Sequence, residues 1–256
     1  MSSSAELQML YRIGNAPVNP FPYPHIFVRD VFPADFYAEL LRHIPPRDAL
    51  SPISKVRSVS EAYGKTRSVL ILNEEWIGRL PERLRGFWAQ TAQMLLSGNL
   101  GPLLMNKFAQ VVESRFAGQT NLEVSDEALL VQDYANYSLG PHTDTPSKVF
   151  SLLFYLPADD SQPHLGTSIY VPRDPAFTCP GGPHHQFDGF YRMLTMPYLP
   201  NCAFGFVKTP NAFHGVEPVA EGDVQRTLLL YDIRCRVPEP NQAAFAPAAS
   251  AAQFKF

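Results

Sequence analysis

The stretch that decides the fold runs from residue 128 to residue 157 and reads ALLVQDYANYSLGPHTDTPSKVFSLLFYLP. Its two ends are short, rich in β-branched and aromatic residues and bounded by turn-forming residues, which is typical of β-strands. Three segments of the same kind follow, GTSIYV (166–171), CAFGFV (202–207) and RTLLLYDI (226–233). No helical pattern of a dozen residues separates most of them, which argues against a doubly wound parallel sheet. The pattern predicts a mainly β protein with a jelly-roll core, also called a double-stranded β-helix.

The N-terminal half predicts helices that flank this core. After an apparent strand, HIFVRDVF (25–32), apolar residues recur at helical spacing from Pro33 to Ile44. A second helix is expected to begin at Pro81, because proline fits the first turn of a helix. We expect one domain over residues 20–236, and its parts are helical support at about 33–116, a jelly-roll core at about 126–236 and a lid-like insertion at about 157–200. An N-terminal extension (1–19) and a low-complexity tail (237–256) lie outside it.

Composition excludes several classes of function. The chain has 21 basic and 24 acidic residues with no long run of either sign, which argues against a nucleic-acid binder. No stretch approaches the roughly 18 uninterrupted apolar residues of a membrane span, and the first twenty residues lack the pattern of a secretory signal. The three cysteines form no CxxC pair, so we expect reduced thiols in a cytoplasmic protein.

The central loop of the quoted stretch carries a candidate metal site. In an extended chain, side chains two residues apart point to the same face, so His142 and Asp144 would stand side by side. A third ligand, His214, lies in a short segment between turn signals. Two histidines and one carboxylate on one face of iron(II) leave three positions open, whereas a structural zinc site would require a fourth protein ligand. The rival ligands His184 and His185 lie in a Gly- and Pro-rich loop, and substrate contact is the more natural role for them.

Arg226 opens an otherwise apolar strand twelve residues after His214. An arginine in such a strand is costly unless it is paired. Its planar guanidinium suits a carboxylate in bidentate geometry, so it could hold the far carboxylate of a dicarboxylic co-substrate. The alternative is a structural salt bridge to Asp232, Glu221 or another acid, and the residue alone does not separate the two.

The pattern His142-x-Asp144, distal His214 and downstream Arg226-Thr227 resembles the iron(II)/2-oxoglutarate-dependent oxygenases, and most of all their prolyl-hydroxylase-like branch. The resemblance spans about residues 20–236, although its specific part is only four or five positions. Members of that branch often carry a tyrosine about eight positions before the first metal histidine, and a polar residue or tyrosine on the strand that follows. Tyr134 and Tyr155 stand at these two positions.

The resemblance implies iron(II), 2-oxoglutarate as co-substrate, and O2. Arg226, together with Tyr155, would bind the distal carboxylate of 2-oxoglutarate, and Tyr134 would donate a hydrogen bond near its chelating end. The interval from His214 to Arg226 is longer than the roughly ten residues usual in the family, so Lys208 and Arg234 are alternative anchors.

The implied reaction is hydroxylation of a C–H bond with release of succinate and CO2. We expect a small-molecule or amino-acid-like substrate, with a protein substrate as the alternative. Two rival functions stay open at this stage. One is a cupin-like metalloenzyme that does not use 2-oxoglutarate, and the other is a non-enzymatic jelly-roll binding protein whose histidines and aspartate are incidental.

Overall fold

The computed structural model describes residues 2–57, 65–119, 122–220, 222 and 225–236. The tail expected at 237–256 lies outside the described residues. In the described part of the chain, no helix is long and apolar enough to cross a membrane.

Antiparallel strands build two sheets. The strands are β1 (His25–Arg29), β2 (Ser51–Pro52), β3 (Arg67–Ile71), β4 (Val124–Asp133), β5 (Leu139–His142), β6 (Lys148–Tyr155), β7 (Ser168–Pro172), β8 (Phe190–Thr195), β9 (Cys202–Val207), β10 (His214–Val216) and β11 (Arg226–Cys235). The larger sheet has the order β1-β9-β6-β11-β4-β3-β2, and the smaller has the order β5-β10-β7-β8. The chain crosses repeatedly from one sheet to the other, as in a double-stranded β-helix. The predicted fold class is confirmed.

The two faces of the larger sheet pack against different partners, because side chains alternate along each strand. Leu129 and Val131 of β4, with Leu228 of β11, face the smaller sheet and belong to the core between the two sheets. Leu130 and Leu229 face the other way, into a core shared with the helices. The space between the sheets therefore holds the candidate site, and the helices support it from behind.

The helices cover the outer face of the larger sheet. They are α1 (Ser2–Asn15), α2 (Ala34–Arg42), α3 (Glu74–Ile77), α4 (Glu82–Leu95), α5 (Leu100–Lys107) and α6 (Ala109–Arg115). Helix α4 begins directly after Pro81, and it buries the expected stripe that includes Leu84, Trp88 and Leu95. Helical support over about 33–116 therefore corresponds to α2 to α6, with the strands β2 and β3 between α2 and α3.

The N-terminal segment that the sequence sets apart as an extension is tied into this core. Ala5, Met9 and Ile13 recur every four residues along one face of α1, and all three are fully buried. They belong to the same cluster as Leu95 and Leu100 of the neighbouring helices. Residues 2–15 thus pack as part of the helical layer.

The segment expected as a lid-like insertion, 157–200, contributes strands to the jelly roll itself. It contains β7 and β8, which pair with each other, and β7 also pairs with β10 through Ile169 opposite His214. The segment GTSIYV predicted one of these strands, β7, but not its partner β8, which carries the polar residues Arg192 and Thr195 and follows a connection rich in Pro and Gly. The longest part of the segment outside the sheets is the connection between these two strands, residues 173–189.

Candidate metal centre

His142 and His214 are cross-strand neighbours in the smaller sheet. His142 ends β5, His214 begins β10, and the two residues are register partners. Asp144 follows two residues after the end of β5. Strand β5 is an edge strand, and this position accommodates Pro141 because its missing N–H is not needed for pairing.

These three residues form a compact group in one wall of the cavity. Their candidate ligand atoms all lie within 4.8 Å of one another, and all three residues are buried. Atoms bound to one ion at about 2.1 Å lie at most about 4.2 Å apart, so small side-chain rotations would bring them onto a common ion. The donor set, two imidazoles and one carboxylate, is that of the facial iron(II) triad with open positions.

Backbone contacts select the imidazole nitrogens that face the centre. Nδ1 of His142 lies 3.0 Å from the carbonyl oxygen of Gly140, and Nδ1 of His214 lies 3.0 Å from that of Ala212. In the neutral ring each Nδ1–H therefore donates to a carbonyl, and Nε2 keeps its lone pair for a metal. Burial lowers the pKa of both rings, so both are neutral.

Asp144 is held ionised by its neighbours. Burial alone would raise the pKa of this carboxyl, but the ammonium of Lys148 and the hydrogen bond from Ser151 hold it below its ordinary value. Lys148 Nζ lies 3.2 Å from Oδ1, and the Ser151 hydroxyl donates to Oδ2 at 2.8 Å. Both residues also contact Asp232, which lies behind them on β11. The carboxylate is thereby oriented as well as charged.

Two glycines allow the loop at 181–185 to close over this wall. Gly181 has a φ of +128°, and a Cβ there would lie 2.2 Å from the carbonyl oxygen of Asp144. A Cβ on Gly140 would lie 2.3 Å from the carbonyl oxygen of His185. Only glycine permits backbones to approach so closely. The loop therefore packs directly on the strand and turn that carry the ligands.

The two loop histidines have different surroundings. The ring of His184 lies 4.6 Å from that of His142, centroid to centroid, and His184 lines the cavity. His185 instead packs among Phe177, Phe190 and Phe213. Neither belongs to the ligand group, and only His184 is placed to contact a substrate.

A cavity of about 640 Å³ opens in front of the ligand group and between the sheets. Arg226 lies in its wall, fully buried. Its Nη1 donates to Asp133 at 2.6 Å, its Nε to the carbonyl of Leu165 at 2.6 Å, and its Nη2 to Thr167 at 3.1 Å. The structural pairing that the sequence left open thus exists, with Asp133 as the partner acid.

Asp133 serves a second arginine as well. Arg67 of β3 donates to its two carboxylate oxygens at 2.5 and 2.8 Å, and Arg67 also lines the cavity. Two guanidinium groups therefore share one carboxylate in the cavity wall. Pairing does not remove the capacity of Arg226 to attract an anion. Arg67 is a site residue that sequence reasoning missed.

The two tyrosines named from the sequence are placed differently. Tyr155 is fully buried beside Arg226, and its hydroxyl accepts a hydrogen bond from the backbone of Thr167 at 3.1 Å. Tyr134 does not line the cavity, because side chains alternate along the chain and Tyr134 points the same way as Gln132, to the side of the sheet opposite Asp133. Its hydroxyl donates to Gln132 at 2.6 Å, and Arg47 stacks on its ring.

Of the two alternative anchors for 2-oxoglutarate that the sequence offers, Lys208 and Arg234, only Arg234 lines the cavity. Lys208 is buried, and its ammonium donates to Thr143 and to the backbone of Thr209, both at 3.0 Å. It supports the turn between His142 and Asp144, and it does not line the cavity. Arg234 lines the cavity, at the opposite end of β11 from Arg226.

No family model and no curated protein matches the sequence. Among solved structures the chain is similar to a prolyl 4-hydroxylase from Phytophthora capsici, with 12% identity and a TM-score of 0.51 over 94% of this chain and 68% of that one. It is also similar to a prolyl hydroxylase from Trichoplax adhaerens solved with a peptide of hypoxia inducible factor, with 11% identity and a TM-score of 0.50 over 96% and 93%. At these identities the likeness concerns the fold, and the chain has a prolyl-hydroxylase-like double-stranded β-helix.

Proposed function

We propose that this protein is a non-haem iron(II), 2-oxoglutarate-dependent oxygenase that hydroxylates a C–H bond of a small-molecule or amino-acid-like substrate. One observation carries the proposal. Two neutral imidazoles and an ionised carboxylate converge on a cavity whose wall also holds the guanidinium groups of Arg67 and Arg226, both paired to Asp133. The first feature suits iron(II) with open positions, and the second suits a dicarboxylate co-substrate that binds the metal at one end.

His142, Asp144 and His214 would hold the metal through Nε2, a carboxylate oxygen and Nε2. The iron would supply activation of O2, and the overall reaction converts substrate C–H, O2 and 2-oxoglutarate to C–OH, succinate and CO2. Lys148 and Ser151 keep Asp144 ionised and oriented, so that the site is preorganised before the metal arrives.

Arg226 and Arg67 would hold the distal carboxylate of 2-oxoglutarate, since their two guanidinium groups face the cavity with only Asp133 between them. Thr167 and Tyr155 fix the position of Arg226 from behind. The loop at 181–185 covers the ligands on their other side, and His184 would contact the substrate there. A volume of about 640 Å³ accommodates a co-substrate and a small molecule, or a single side chain of a protein substrate.

Anaerobic thermal shift with Mn²⁺ and 2-oxoglutarate tests this proposal. We expect Mn²⁺ alone to stabilise the protein, and 2-oxoglutarate to add stability only when the metal is present. Asp144→Ala should lose both effects, whereas Asp159→Ala, at an exposed surface position, should keep them. With iron(II) in air, the wild-type protein should release succinate from 2-oxoglutarate and Asp144→Ala should not.

The two rival functions give different results in the same experiment. Stabilisation by metal without any contribution from 2-oxoglutarate would indicate a metalloenzyme of another class. Absence of any metal effect would indicate a binding protein. Succinate release that persists in Asp144→Ala would remove the proposed role of the ligand group.

A further inference from the structure

A second cluster of two arginines around one carboxylate lies at the other end of the cavity. Glu127 and Asp133 are six residues apart on β4, so their side chains share the face toward the cavity. Oε1 of Glu127 accepts hydrogen bonds from Arg57 Nη2 at 2.6 Å and from Arg234 Nε at 2.5 Å. This arrangement repeats that of Arg67 and Arg226 around Asp133. All three residues of the second cluster, Arg57, Glu127 and Arg234, line the cavity.

This cluster carries one surplus positive charge. Burial raises the pKa of Glu127, but Arg57 and Arg234 outweigh that effect and hold it below its ordinary value, so the carboxyl is ionised. Two guanidinium groups therefore face one carboxylate. The adjoining pair of Lys148 and Asp232, 3.0 Å apart, is balanced by itself once Asp144 is committed to a metal. Among the described residues that line the cavity, the only acid besides Glu127 is Asp144.

The second cluster is open to solvent where the first is closed. The side chains of Arg57, Glu127 and Arg234 are 31%, 29% and 26% exposed, whereas those of Arg226 and Asp133 are 0% exposed. The co-substrate in the proposed function must reach the closed cluster before a substrate covers it. The open cluster is then available to the molecule that enters second.

The distance from the second cluster to the metal ligands suits a small substrate. Lys148 Nζ lies 3.2 Å from Asp144 Oδ1 and 3.0 Å from Asp232 Oδ2, and that oxygen lies 3.6 Å from Arg234 Nη2. These contacts place the Arg234 guanidinium within about 10 Å of the ligand carboxylate. A molecule held at Arg234 by one end can therefore present a carbon a few bonds away to the metal centre.

We propose that Arg57, Glu127 and Arg234 bind the carboxylate of the substrate to be oxidised, and that this substrate is an organic acid of amino-acid size. The inference rests on the proposed function. A planar carboxylate matches the paired N–H groups of a guanidinium, and its single charge matches the surplus of the cluster. A phosphate would bring about two negative charges to a surplus of one.

Ligand-observed saturation-transfer NMR tests this with pentanoate and pentanamide, a charged and a neutral probe of the same shape. The protein is loaded with Zn²⁺ and saturating 2-oxoglutarate, so that the first cluster is occupied and no turnover occurs. We expect pentanoate to bind at least tenfold more tightly than pentanamide. Equal binding of the two probes, or binding of neither, in the folded wild-type protein would overturn the proposal.

Substitutions of Arg57 and Arg234 test whether these two residues cause the preference for pentanoate over pentanamide. Arg57→Gln and Arg234→Gln should lower pentanoate affinity at least tenfold, to the level of pentanamide, and Arg57→Lys should keep part of it. Arg173→Gln, at an exposed arginine that does not line the cavity, is the matched control and should change nothing. Unchanged affinity in both Gln variants would place the anion site elsewhere and refute the assignment.

The same samples separate this inference from the function on which it rests. Thermal shift of the wild-type protein with Zn²⁺, with and without 2-oxoglutarate, shows whether the co-substrate binds the metal centre. If 2-oxoglutarate has no effect while the preference for pentanoate persists, the oxygenase proposal fails and the anion site stands. If 2-oxoglutarate binds and the preference is absent, only the substrate assignment fails.

Discussion

Replacing Asp133 by Asn removes the charge that holds Arg67 and Arg226 together inside the protein. Oδ1 of Asp133 accepts from Arg67 Nε at 2.5 Å, and Oδ2 accepts from Arg67 Nη2 at 2.8 Å and from Arg226 Nη1 at 2.6 Å. Asparagine has nearly the same shape but offers only one carbonyl oxygen. Its NH2 group would face at least one guanidinium, donor against donor, so one or two of these bonds must be lost.

The expected cost is large because the cluster is closed to water. The side chains of Asp133 and Arg226 are 0% exposed and that of Arg67 is 10% exposed, so solvent cannot replace the carboxylate. Removing one partner of a buried ion pair costs roughly 3–5 kcal/mol of unfolding free energy. For a chain of this size, 1 kcal/mol corresponds to about 2–4 °C in Tm, so we expect Tm to fall by roughly 6–20 °C.

Urea unfolding of the metal-free protein, followed by circular dichroism, measures this loss directly. Asp159→Asn is the control, because Asp159 is exposed and its carboxylate bonds only locally, to Ser161. We expect the unfolding free energy of Asp159→Asn to stay close to that of the wild-type protein. A loss of less than about 1 kcal/mol in Asp133→Asn would show that the two arginines do not depend on this carboxylate. The argument that two arginines around one carboxylate can still attract an anion would then fail for both clusters.

Three further predictions address the site and its support. Arg67→Met should weaken 2-oxoglutarate binding at least tenfold in calorimetry with Mn²⁺ present, while Mn²⁺ binding itself stays unchanged; equal loss of both would contradict the assignment. Gly140→Ala should destabilise the fold by roughly 1–3 kcal/mol, because its Cβ would overlap the carbonyl of His185. Gly86→Ala in helix α4, where a Cβ meets nothing within 4 Å, should instead stabilise it by about 0.4–1 kcal/mol in the same urea titration. Burial lowers the pKa of Lys208 to about 8 from 10.5, so the unfolded chain binds more protons in that window and the unfolding free energy should rise with pH across it. The unfolding free energy of Lys208→Met should lack this rise with pH. Parallel pH profiles of the variant and the wild-type protein would show that Lys208 is not its source.

The jelly-roll strands could be predicted because their signal is local. Strand β9 has the same bounds as the segment CAFGFV, and β11 extends only two residues beyond RTLLLYDI. Such strands pack on both faces, so their near-continuous apolar runs are unambiguous. That His142 and Asp144 lie side by side was predictable for a related reason, since side chains two residues apart in an extended chain share a face.

Features that depend on distant partners could not be read in this way. Strand β3 and its Arg67 gave no local signal, because the partner acid lies 66 residues further along the chain. A signal did exist in Asp133, since an aspartate that closes an apolar strand requires a buried cation. The spacing that drew attention to Tyr134 did not show which face of the sheet its side chain takes, and Tyr134 points the same way as Gln132, away from the cavity.

The pairing of two arginines with one carboxylate reconciles folding with binding. A guanidinium buried without a partner would be too costly to fold, yet a fully neutralised one would have no reason to attract an anion. With Asp133 between Arg67 and Arg226, each guanidinium has an anionic partner, and that single carboxylate does not fully neutralise the two of them. Glu127 stands in the same relation to Arg57 and Arg234, where the cavity is open to solvent. In the proposed function, each pair of arginines would bind one carboxylate, and His142, Asp144 and His214 would hold the metal in the wall of the same cavity.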